Sequence, residues 1–530
     1  MTQRAGGTEP GAEHDLAIPF TSVRALLDAY RARDPDRVAL VDLDQESAIT
    51  WGELHTEANR IANFLHRRGI GRGDHVAVLS DERLEKLILW MGIWRAGAII
   101  CPINVEMNVA YIAPILRGIE PRLTLWHEAM DGPRMTDGVG GEIVRFARWE
   151  KEAPGDPDAD EFFARLASVP AAPELDFDNA ADDIGSIYCT SGTTDTPKLF
   201  VCDMMGHWLF GLSTIDLIGL TGDDRTLEYR SFGWNSAQGA SLLPWMQTGC
   251  TLHFARRFSH GRFFDWIRDN GITFSIGIPT VINMLLDDPV EIDREEIASL
   301  RFMSSSTAPL APERWQQFED RYGIRLLQFY GCSEGGWVCG NRHYYNRKGT
   351  VGPPAKHQEF LLVDEDGNRC PPGVEGEVTL GGPQCVVASM SVDGEREDLR
   401  GRRIHLGDLA VMDEDGFVTV TGRLKDLIIR GGVNIAPAEI DNVLLRYPKV
   451  HEAAAVGVPD PIYGEEVVCY VVGRSGEHLT ADEVVEHCRA GLPEYRVPKE
   501  VHFIDALPKN DRGKVRRPDL RAIWERDRAG

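Results

Sequence analysis

One segment, from Tyr188 to Lys198, constrains the fold more than any other part of the chain. It reads Tyr-Cys-Thr-Ser-Gly-Thr-Thr-Asp-Thr-Pro-Lys and follows a strand-like apolar run from 184 to 189. Hydroxyl groups, exposed backbone N–H groups and an ammonium group are what a bound polyphosphate needs around it. We therefore predict a strand that leads into a phosphate-binding loop. A Ser/Thr-rich surface turn is the alternative.

This loop differs from the P-loop. A P-loop has a glycine directly before its lysine and a Ser or Thr directly after it. Here Pro197 precedes Lys198 and Leu199 follows it. The segment is therefore a different kind of phosphate loop.

Length and charge limit the protein class. The chain has 530 residues, so two to four folding units are expected. The formal net charge is −25, which argues against nucleic acid as a partner because phosphate backbones demand basic surface. A polyanionic small molecule would need locally placed Lys and Arg.

Targeting signals and disulfide patterns are not evident. The most apolar run, Leu87 to Trp94, is too short to span a bilayer, and residues 1–15 have no apolar core of a signal peptide. Residues 1–18 are predicted to be disordered. The ten cysteines include no CxxC pair, which favours free thiols in a reducing cytoplasm.

The periodicity predicts an α/β fold. Thr50-Trp51-Gly52-Glu53 reads as a capping box that opens a helix, and a strand (76–79), a helix (84–95) and a strand (98–102) follow. The same alternation of strands and helices continues further along the chain, with a strand predicted at 273–278. Such units build parallel sheets covered by helices. We interpret 152–173, rich in Ala, Asp and Pro, as a surface connection.

A domain boundary is predicted between 423 and 424. Residues 19–423 would form a large domain of helix-covered sheets. Residues 424–530 would form a small α+β domain with strands at 450–458, 467–472 and 501–504 and a capped helix from Thr480.

The segment from Gln328 to Glu334 reads Gln-Phe-Tyr-Gly-Cys-Ser-Glu. Tyr330 offers a flat face for an adenine, Ser333 a hydroxyl for a phosphate, and Glu334 a hard oxygen ligand for Mg²⁺. A Tyr-Gly pair is more often an ordinary turn, so this segment alone is a weak signal.

Another candidate cluster consists of two separate segments, Gly407-Asp408 and Gly422-Arg423-Leu424-Lys425-Asp426. A carboxylate such as Asp408 can hold both hydroxyls of a ribose, and the guanidinium of Arg423 can reach ribose or phosphate. A turn carboxylate and a surface ion pair are the plainer interpretations. Residues 413–416, Asp-Glu-Asp-Gly, indicate a hairpin turn between the two parts.

Together these motifs resemble the adenylate-forming superfamily of acyl-CoA synthetases, luciferases and adenylation domains. The family's phosphate loop, its Tyr-Gly-x-Thr-Glu motif, its Gly-Asp…Gly-Arg-x-x-Asp pattern and its terminal Pro-x-x-x-x-Gly-Lys motif occur here in the family's order, from Thr190 to Lys514. The resemblance covers roughly residues 20 to 520, and it is best to the stand-alone CoA ligases.

The resemblance implies the adenylate-forming fold, with a small domain that rotates about Lys425. It implies that Lys514 contacts the reacting carboxylate and the α-phosphate, and that Arg430, Gly431 and Gly432 border a pantetheine tunnel. The ATP or AMP contacts that it implies are Thr190, Ser191, Gly192, Thr193, Thr194, Lys198, Thr307, Ala308, Pro309, Tyr330, Gly331, Ser333, Asp408 and Arg423. The acyl pocket is expected at Trp234, Asn235, Gly331 and Gly335. For Trp234, a place in the hydrophobic core is an equal alternative.

Two positions depart from the family's phosphate loop, because Asp195 and Leu199 stand where it has glycines. Asp tolerates positive φ better than most residues, so the turn can persist. Alternatively, the Asp195 carboxylate repels a triphosphate or binds Mg²⁺.

The leading hypothesis is an ATP-dependent carboxylic acid–CoA ligase that acts through an acyl adenylate and releases AMP and pyrophosphate. ATP, Mg²⁺, CoA and a carboxylic acid are its expected small molecules, and a homodimer is a candidate assembly. The alternatives are an adenylating enzyme that loads a carrier protein and a degenerate nucleotide-binding homologue.

Overall fold

The computed structural model describes residues 19–151, 155–190, 197–474, 476–509 and 515–529. Their strands, in chain order, are β1 (Val38–Asp42), β2 (Ser47–Thr50), β3 (His75–Leu79), β4 (Ile99–Ile103), β5 (Leu123–His127), β6 (Glu142–Phe146), β7 (Ile184–Thr190), β8 (Lys198–Asp203), β9 (Arg225–Glu228), β10 (Thr251–Phe254), β11 (Phe274–Ser275), β12 (Phe302–Ser305), β13 (Arg325–Cys332), β14 (Gly336–Gly340), β15 (Leu361–Val363), β16 (Gly376–Leu380), β17 (Ala388–Met390), β18 (Arg396–Asp398), β19 (Ile404–Met412), β20 (Val418–Arg423), β21 (Ile428–Arg430), β22 (Val433–Ile435), β23 (Val450–Asp460), β24 (Gly464–Gly473) and β25 (Glu500–Phe503).

The α-helices, in chain order, are α1 (Val23–Arg33), α2 (Trp51–Arg67), α3 (Leu84–Arg95), α4 (Val109–Ile119), α5 (Gly132–Met135), α6 (Phe162–Ala167), α7 (Met204–Ile218), α8 (Asn235–Ala237), α9 (Leu243–Thr248), α10 (Phe263–Asn270), α11 (Pro279–Asp287), α12 (Pro312–Tyr322), α13 (Pro437–Leu445), α14 (Ala481–Gly491) and α15 (Arg517–Ala529). A π-helical turn (Gln238–Leu242) joins α8 to α9, and 3₁₀ turns span Leu424–Asp426 and Glu494–Arg496.

Two eight-stranded sheets form the frame of the first part of the chain. Their strand orders are β14-β13-β12-β11-β9-β10-β1-β2 and β18-β17-β8-β7-β4-β3-β5-β6. The inner strands of the first sheet are parallel from β13 to β1, as are β7, β4, β3, β5 and β6 of the second. Open sheets of this kind bind ligands at the carboxyl ends of their parallel strands. The predicted α/β fold is confirmed.

Helices α2 and α3 show why these elements form. Thr50 caps α2 through the predicted box, since its side chain accepts from Glu53 N and the Glu53 carboxylate accepts from Thr50 N. Helix α3 is mostly apolar and is buried on all sides, with Trp90 and Trp94 fully covered. Both helices match their predicted positions.

Two sequence predictions are wrong. The predicted connection at 152–173 contains α6, whose apolar face of Phe162 and Phe163 is buried and whose N-terminus is capped by the Glu161 carboxylate. The predicted strand at 273–278 is reduced to β11, because only Phe274 and Ser275 pair with both neighbouring strands.

The last part of the chain carries two smaller sheets. One has the order β15-β16-β19-β20, and the other has the order β22-β21-β24-β23 with β25 paired to β24. Strand β20 ends at Arg423 and β21 begins at Ile428. Ion pairs from Arg446 to Glu313 (3.6 Å) and from Arg474 to Asp287 (3.5 Å) link the C-terminal sheet region to the first part. Partly exposed pairs of this kind contribute little stability. The domain boundary at 423/424 stays a prediction.

A buried ion pair at the start of α3 gives a stability prediction. Lys86 is fully buried, and its ammonium donates to Glu82 Oε1 at 2.7 Å and to Ser80 O at 3.1 Å. Glu82→Gln leaves that charge uncompensated, so we expect the free energy of unfolding to fall by roughly 3 kcal/mol. Denaturant unfolding measures it.

The matched control is Glu525→Gln, which removes one of the two carboxylates that pair with Arg521, in an exposed pair of 3.3 Å on α15. It should change the free energy of unfolding by less than about 0.5 kcal/mol. Equally small changes in the free energy of unfolding for both substitutions would show that the buried pair does not stabilise the fold.

Candidate active site

The two strands that flank the predicted phosphate loop form an antiparallel pair. Strands β7 and β8 pair antiparallel, and their last pair joins Thr190 to Lys198, with Thr190 Oγ1 donating to Lys198 O at 3.4 Å. The Lys198 side chain is exposed. Ser191, Gly192, Thr193, Thr194 and Asp195 lie outside the described residues, and their roles stay predictions.

Leu199 has a structural explanation. It lies in β8, pairs with Cys189 and Met390, and is fully buried in the apolar cluster beneath the hairpin. A glycine at this strand position would leave that apolar contact unmade. The departure at Leu199 therefore falls on a strand of the hairpin, whereas Asp195 lies outside the described residues.

Three distant segments meet at the carbonyl of Ser333. The Tyr188 hydroxyl donates to Ser333 O at 2.7 Å, and Asn235 Nδ2 donates to the same oxygen at 3.4 Å. These contacts join the β7–β8 hairpin, the α8 segment and the end of β13. The predicted phosphate, acyl and adenine segments are thus brought together.

The surroundings of Glu334 shift the pKa of its carboxyl group. Its side chain is half-buried, and burial is the main reason that its pKa is raised. The charge of Asp408 raises the pKa further, and the charge of Lys198 lowers it. Burial penalises the charged form of a carboxylate that lacks enough compensating charge. A cation placed at this point would relieve that penalty.

Asp408 and Arg423 face each other across β19 and β20. They are cross-strand partners, with Arg423 Nε 2.7 Å from Asp408 Oδ1. The Tyr330 hydroxyl donates to the other carboxylate oxygen of Asp408, and burial together with Asp408 raises the Tyr330 pKa. The two predicted clusters therefore form one contact group. The predicted hairpin turn at 413–416 connects the two strands.

Thr307, Ala308 and Pro309 are exposed at the carboxyl end of β12. Thr307 has a φ of +73°, which is costly for a β-branched residue and is found where surrounding structure imposes it. Just before it, the hydroxyls of Ser305 and Ser306 are buried with no hydrogen-bond partner among the described residues. Buried polar groups of this kind are usually satisfied by water or a ligand.

The predicted acyl residues lie on both sides of Ser333. Trp234 is half-buried and immediately precedes α8, while Asn235 is buried. Gly331 is exposed, but Gly335 is buried, and its carbonyl accepts from Gln384 Nε2 at 2.7 Å.

Sequence reasoning assigned no site role to Tyr188 or Gln384. Tyr188 lay inside the quoted phosphate motif, and its position at the end of a buried strand was an available signal. Gln384 carries no motif, since tertiary packing alone brings it to Gly335.

The proposed tunnel and hinge residues lie on the C-terminal side. Gly431 and Gly432 form the turn between β21 and β22 with φ of +58° and +82°. Arg430 Nη2 pairs with Glu466 Oε2 at 3.0 Å. Lys425 is exposed in a 3₁₀ turn, and its pKa is lowered, chiefly by partial burial. Lys514 lies outside the described residues.

The described ranges contain neither a metal-binding cluster nor a membrane-spanning helix. There, no group of three or more His, Cys, Asp or Glu side chains is arranged to hold a metal ion. Nor does any helix combine the length and apolarity needed to cross a membrane in that part of the chain.

Comparisons with known proteins agree with this geometry. A family model described as AMP-binding enzyme matches residues 27–389, and the AMP-binding enzyme C-terminal domain matches residues 439–514. The chain is 32% identical to a sulfoacetate–CoA ligase of Cupriavidus necator over 94% of the chain and 97% of that protein. It is 29% identical to a feruloyl-CoA synthase of an Amycolatopsis species over 90% of the chain and 94% of that protein. The crystal structure of ATP-bound MatB from Rhodopseudomonas palustris has a TM-score of 0.83 at 26% identity, covering 95% of this chain and 99% of MatB.

Proposed function

Since the chain belongs to the AMP-binding enzyme family and is an ATP-dependent acid–CoA ligase, we propose that ATP binds among the β7–β8 hairpin, Tyr330–Glu334 and Asp408. The observation that carries this placement is the meeting of three segments at Ser333 O. Lys198 and Thr190 would contact phosphate, the Tyr330 ring the adenine, and Asp408 with Arg423 the ribose. Thr307 to Pro309 would border the adenine.

The first half-reaction joins the acid to AMP. A carboxylate oxygen attacks the α-phosphorus of ATP, the bond to the bridging oxygen breaks, and pyrophosphate leaves with that electron pair. The protein orients the reactants and offsets the charge that develops on the phosphate oxygens. We assign this charge contact to Lys514, in agreement with the family motif Pro508 to Lys514.

In the second half-reaction, the CoA thiol attacks the acyl carbon and AMP leaves. We propose that the C-terminal region rotates about Lys425 between the two steps, so that the Gly431–Gly432 turn borders the pantetheine arm. The two partly exposed ion pairs between the regions would cost little to break, which supports this motion. The two glycines let the backbone approach a thin ligand closely.

Glu334 suits a Mg²⁺ ion that arrives with ATP. Mg²⁺ is usually held by one or two carboxylates together with substrate phosphates, and the raised pKa of Glu334 marks a carboxylate short of positive charge. The ion would neutralise phosphate charge when bound. Glu334 would hold it, and Ser333 would supply a hydroxyl to a neighbouring phosphate.

The raised pKa of Glu334 gives a pH prediction. Only the carboxylate form holds a cation, so kcat/KM for ATP should fall as the pH drops through a pKa above that of an ordinary glutamate. Glu334→Gln should lower kcat/KM roughly 100-fold and abolish this acidic limb. The measurement is a pH profile of AMP release. An unchanged limb in Glu334→Gln would remove the residue from this role.

The control for this experiment is Glu397→Gln on β18, where an exposed carboxylate pairs with Arg402 at 2.9 Å. It should leave both kcat/KM and the pH profile unchanged. A loss of the limb in this variant would show that the profile does not report Glu334.

The overall assignment is tested by AMP release with Mg-ATP and CoA across a panel of short, branched, cyclic and aromatic acids. AMP release that needs both acid and CoA supports the ligase. Pyrophosphate exchange without CoA-dependent turnover would favour a carrier-protein acceptor, and ATP binding without either reaction would favour a degenerate homologue.

The cellular location and the assembly are further proposals. All ten cysteines are free thiols and nine are buried, which supports a reducing cytoplasm as the location. The homodimer stays an untested candidate, which light scattering of the purified protein can check.

A further inference from the structure

Two aromatic rings pack directly against the Gly331–Gly336 segment, next to the proposed acyl residues. Phe210 projects from α7 and Trp337 from β14, and their ring centroids lie 5.6 Å apart at an interplanar angle of 80°. Both side chains are almost completely buried. The ring of Phe329 also packs against Trp337, with centroids 5.2 Å apart. The three rings therefore form one aromatic cluster, called the wall below.

Hydrogen bonds hold this wall in place. Trp337 Nε1 donates to Thr214 Oγ1 at 2.8 Å, and Thr214 Oγ1 donates to Gly239 O at 2.6 Å. Gln384 Nε2 donates to Trp337 O at 3.0 Å, while Ser213 Oγ donates to Gln384 Oε1 at 2.8 Å. A ring whose only polar atom and whose backbone are both bonded cannot swing aside without leaving buried groups unpaired.

The glycines beside the wall show how completely the rings fill the space. A Cβ on Gly239 would lie 2.0 Å from the Phe210 ring, and a Cβ on Gly331 would lie 2.8 Å from the Trp337 ring. Gly239 belongs to the π-helical turn that directly follows Trp234 to Ala237. The room that these glycines open is thus taken by protein rings rather than left for a substrate.

We propose that Phe210 and Trp337 determine the acid specificity, and that this ligase activates short, compact carboxylic acids and rejects long-chain and aryl acids. The inference rests on the proposed placement of the acyl group beside Gly331 and Asn235. A longer acid would have to displace packed rings. Overpacking a tight site typically costs about 1–3 kcal/mol, which corresponds to roughly fivefold to 150-fold in kcat/KM.

The test is acid-dependent pyrophosphate exchange with acetate, propionate, butyrate, hexanoate and phenylacetate. For the wild type, kcat/KM for hexanoate and phenylacetate should lie at least about tenfold below that of the best short acid. Phe210→Leu and Trp337→Leu remove one ring each and keep an apolar side chain. Each should raise the ratio of hexanoate to short-acid kcat/KM by about tenfold.

The matched control is Phe162→Leu, which removes a fully buried ring that packs against Phe64 in another part of the core. It should leave the ratio between acids unchanged. The ratio is internal to each variant, so a loss of folded protein cancels from it.

Two results would overturn the inference. One is a wild-type kcat/KM for hexanoate or phenylacetate that equals the kcat/KM for the best short acid. This result can be obtained even if neither ring variant folds. The other is an unchanged ratio in both folded ring variants. Absence of exchange with every acid, and of CoA-dependent AMP release across the wider panel, would instead overturn the proposed function itself.

Discussion

Lys514→Ala is expected to slow acyl-adenylate formation by roughly 100-fold or more, the scale of one lost charge contact in a transition state. The same substitution should spare thioester formation from preformed acyl adenylate and CoA, because the proposed rotation withdraws Lys514 before that step. Single-turnover assays of the two half-reactions measure these effects separately. The largest change should therefore be a difference between half-reactions rather than a general loss.

Lys509→Ala is the matched control for this result. Lys509 lies in the same terminal motif, but its ammonium pairs with the Glu452 carboxylate. Its removal should alter either half-reaction by less than about threefold, since partly exposed pairs of this kind contribute little. Equal losses in both half-reactions of Lys514→Ala would contradict the assigned role.

Asp408→Ala is expected to lower kcat/KM for ATP by roughly 100-fold or more, because it would remove the two charge-assisted hydrogen bonds that we propose to the ribose, each of about 1.5–3 kcal/mol. It also leaves Arg423 without the carboxylate that now lies 2.7 Å from its Nε. The loss should appear in the binding of ATP and in adenylation, with little change in the KM for the acid. Steady-state kinetics with each substrate varied in turn separate the two.

The control for Asp408 is Asp415→Ala in the turn between β19 and β20. Asp415 is exposed and pairs with Arg347 at 2.7 Å. It should leave kcat/KM for ATP within about twofold. A KM for ATP that is unchanged in Asp408→Ala would remove this residue from the nucleotide site.

Local order could be predicted well from the sequence. The capping box at Thr50, the apolar helix α3 and the hairpin turn after Met412 depend on neighbours within a few residues, so their patterns are visible in the chain. The family could also be predicted, because its motifs are short segments whose chemistry is local. By contrast, α6 was missed, since its few apolar residues stand within a run of Ala, Asp and Pro.

The contact group at the site is partly local and partly long-range. Asp408 and Arg423 face each other because one hairpin joins their strands, a pairing that the spacing made plausible. The convergence of Tyr188 and Asn235 on Ser333 O depends on two separate sheets and a helix, and nothing in the sequence indicates it. Backbone carbonyls carry no sequence signature.

The sequence alone determined the chemistry of this protein: a hydroxyl-rich phosphate loop, a Tyr-Gly-Cys-Ser-Glu segment, and an aspartate and arginine in a fixed order. Only the tertiary structure decided which side chains surround these groups. It buried Leu199 in the frame of the hairpin and set Phe210 against Trp337 next to the proposed acyl residues. The physical reason is that motifs act through a few adjacent groups, whereas the shape of a pocket depends on side chains that are distant in the chain and meet only by packing.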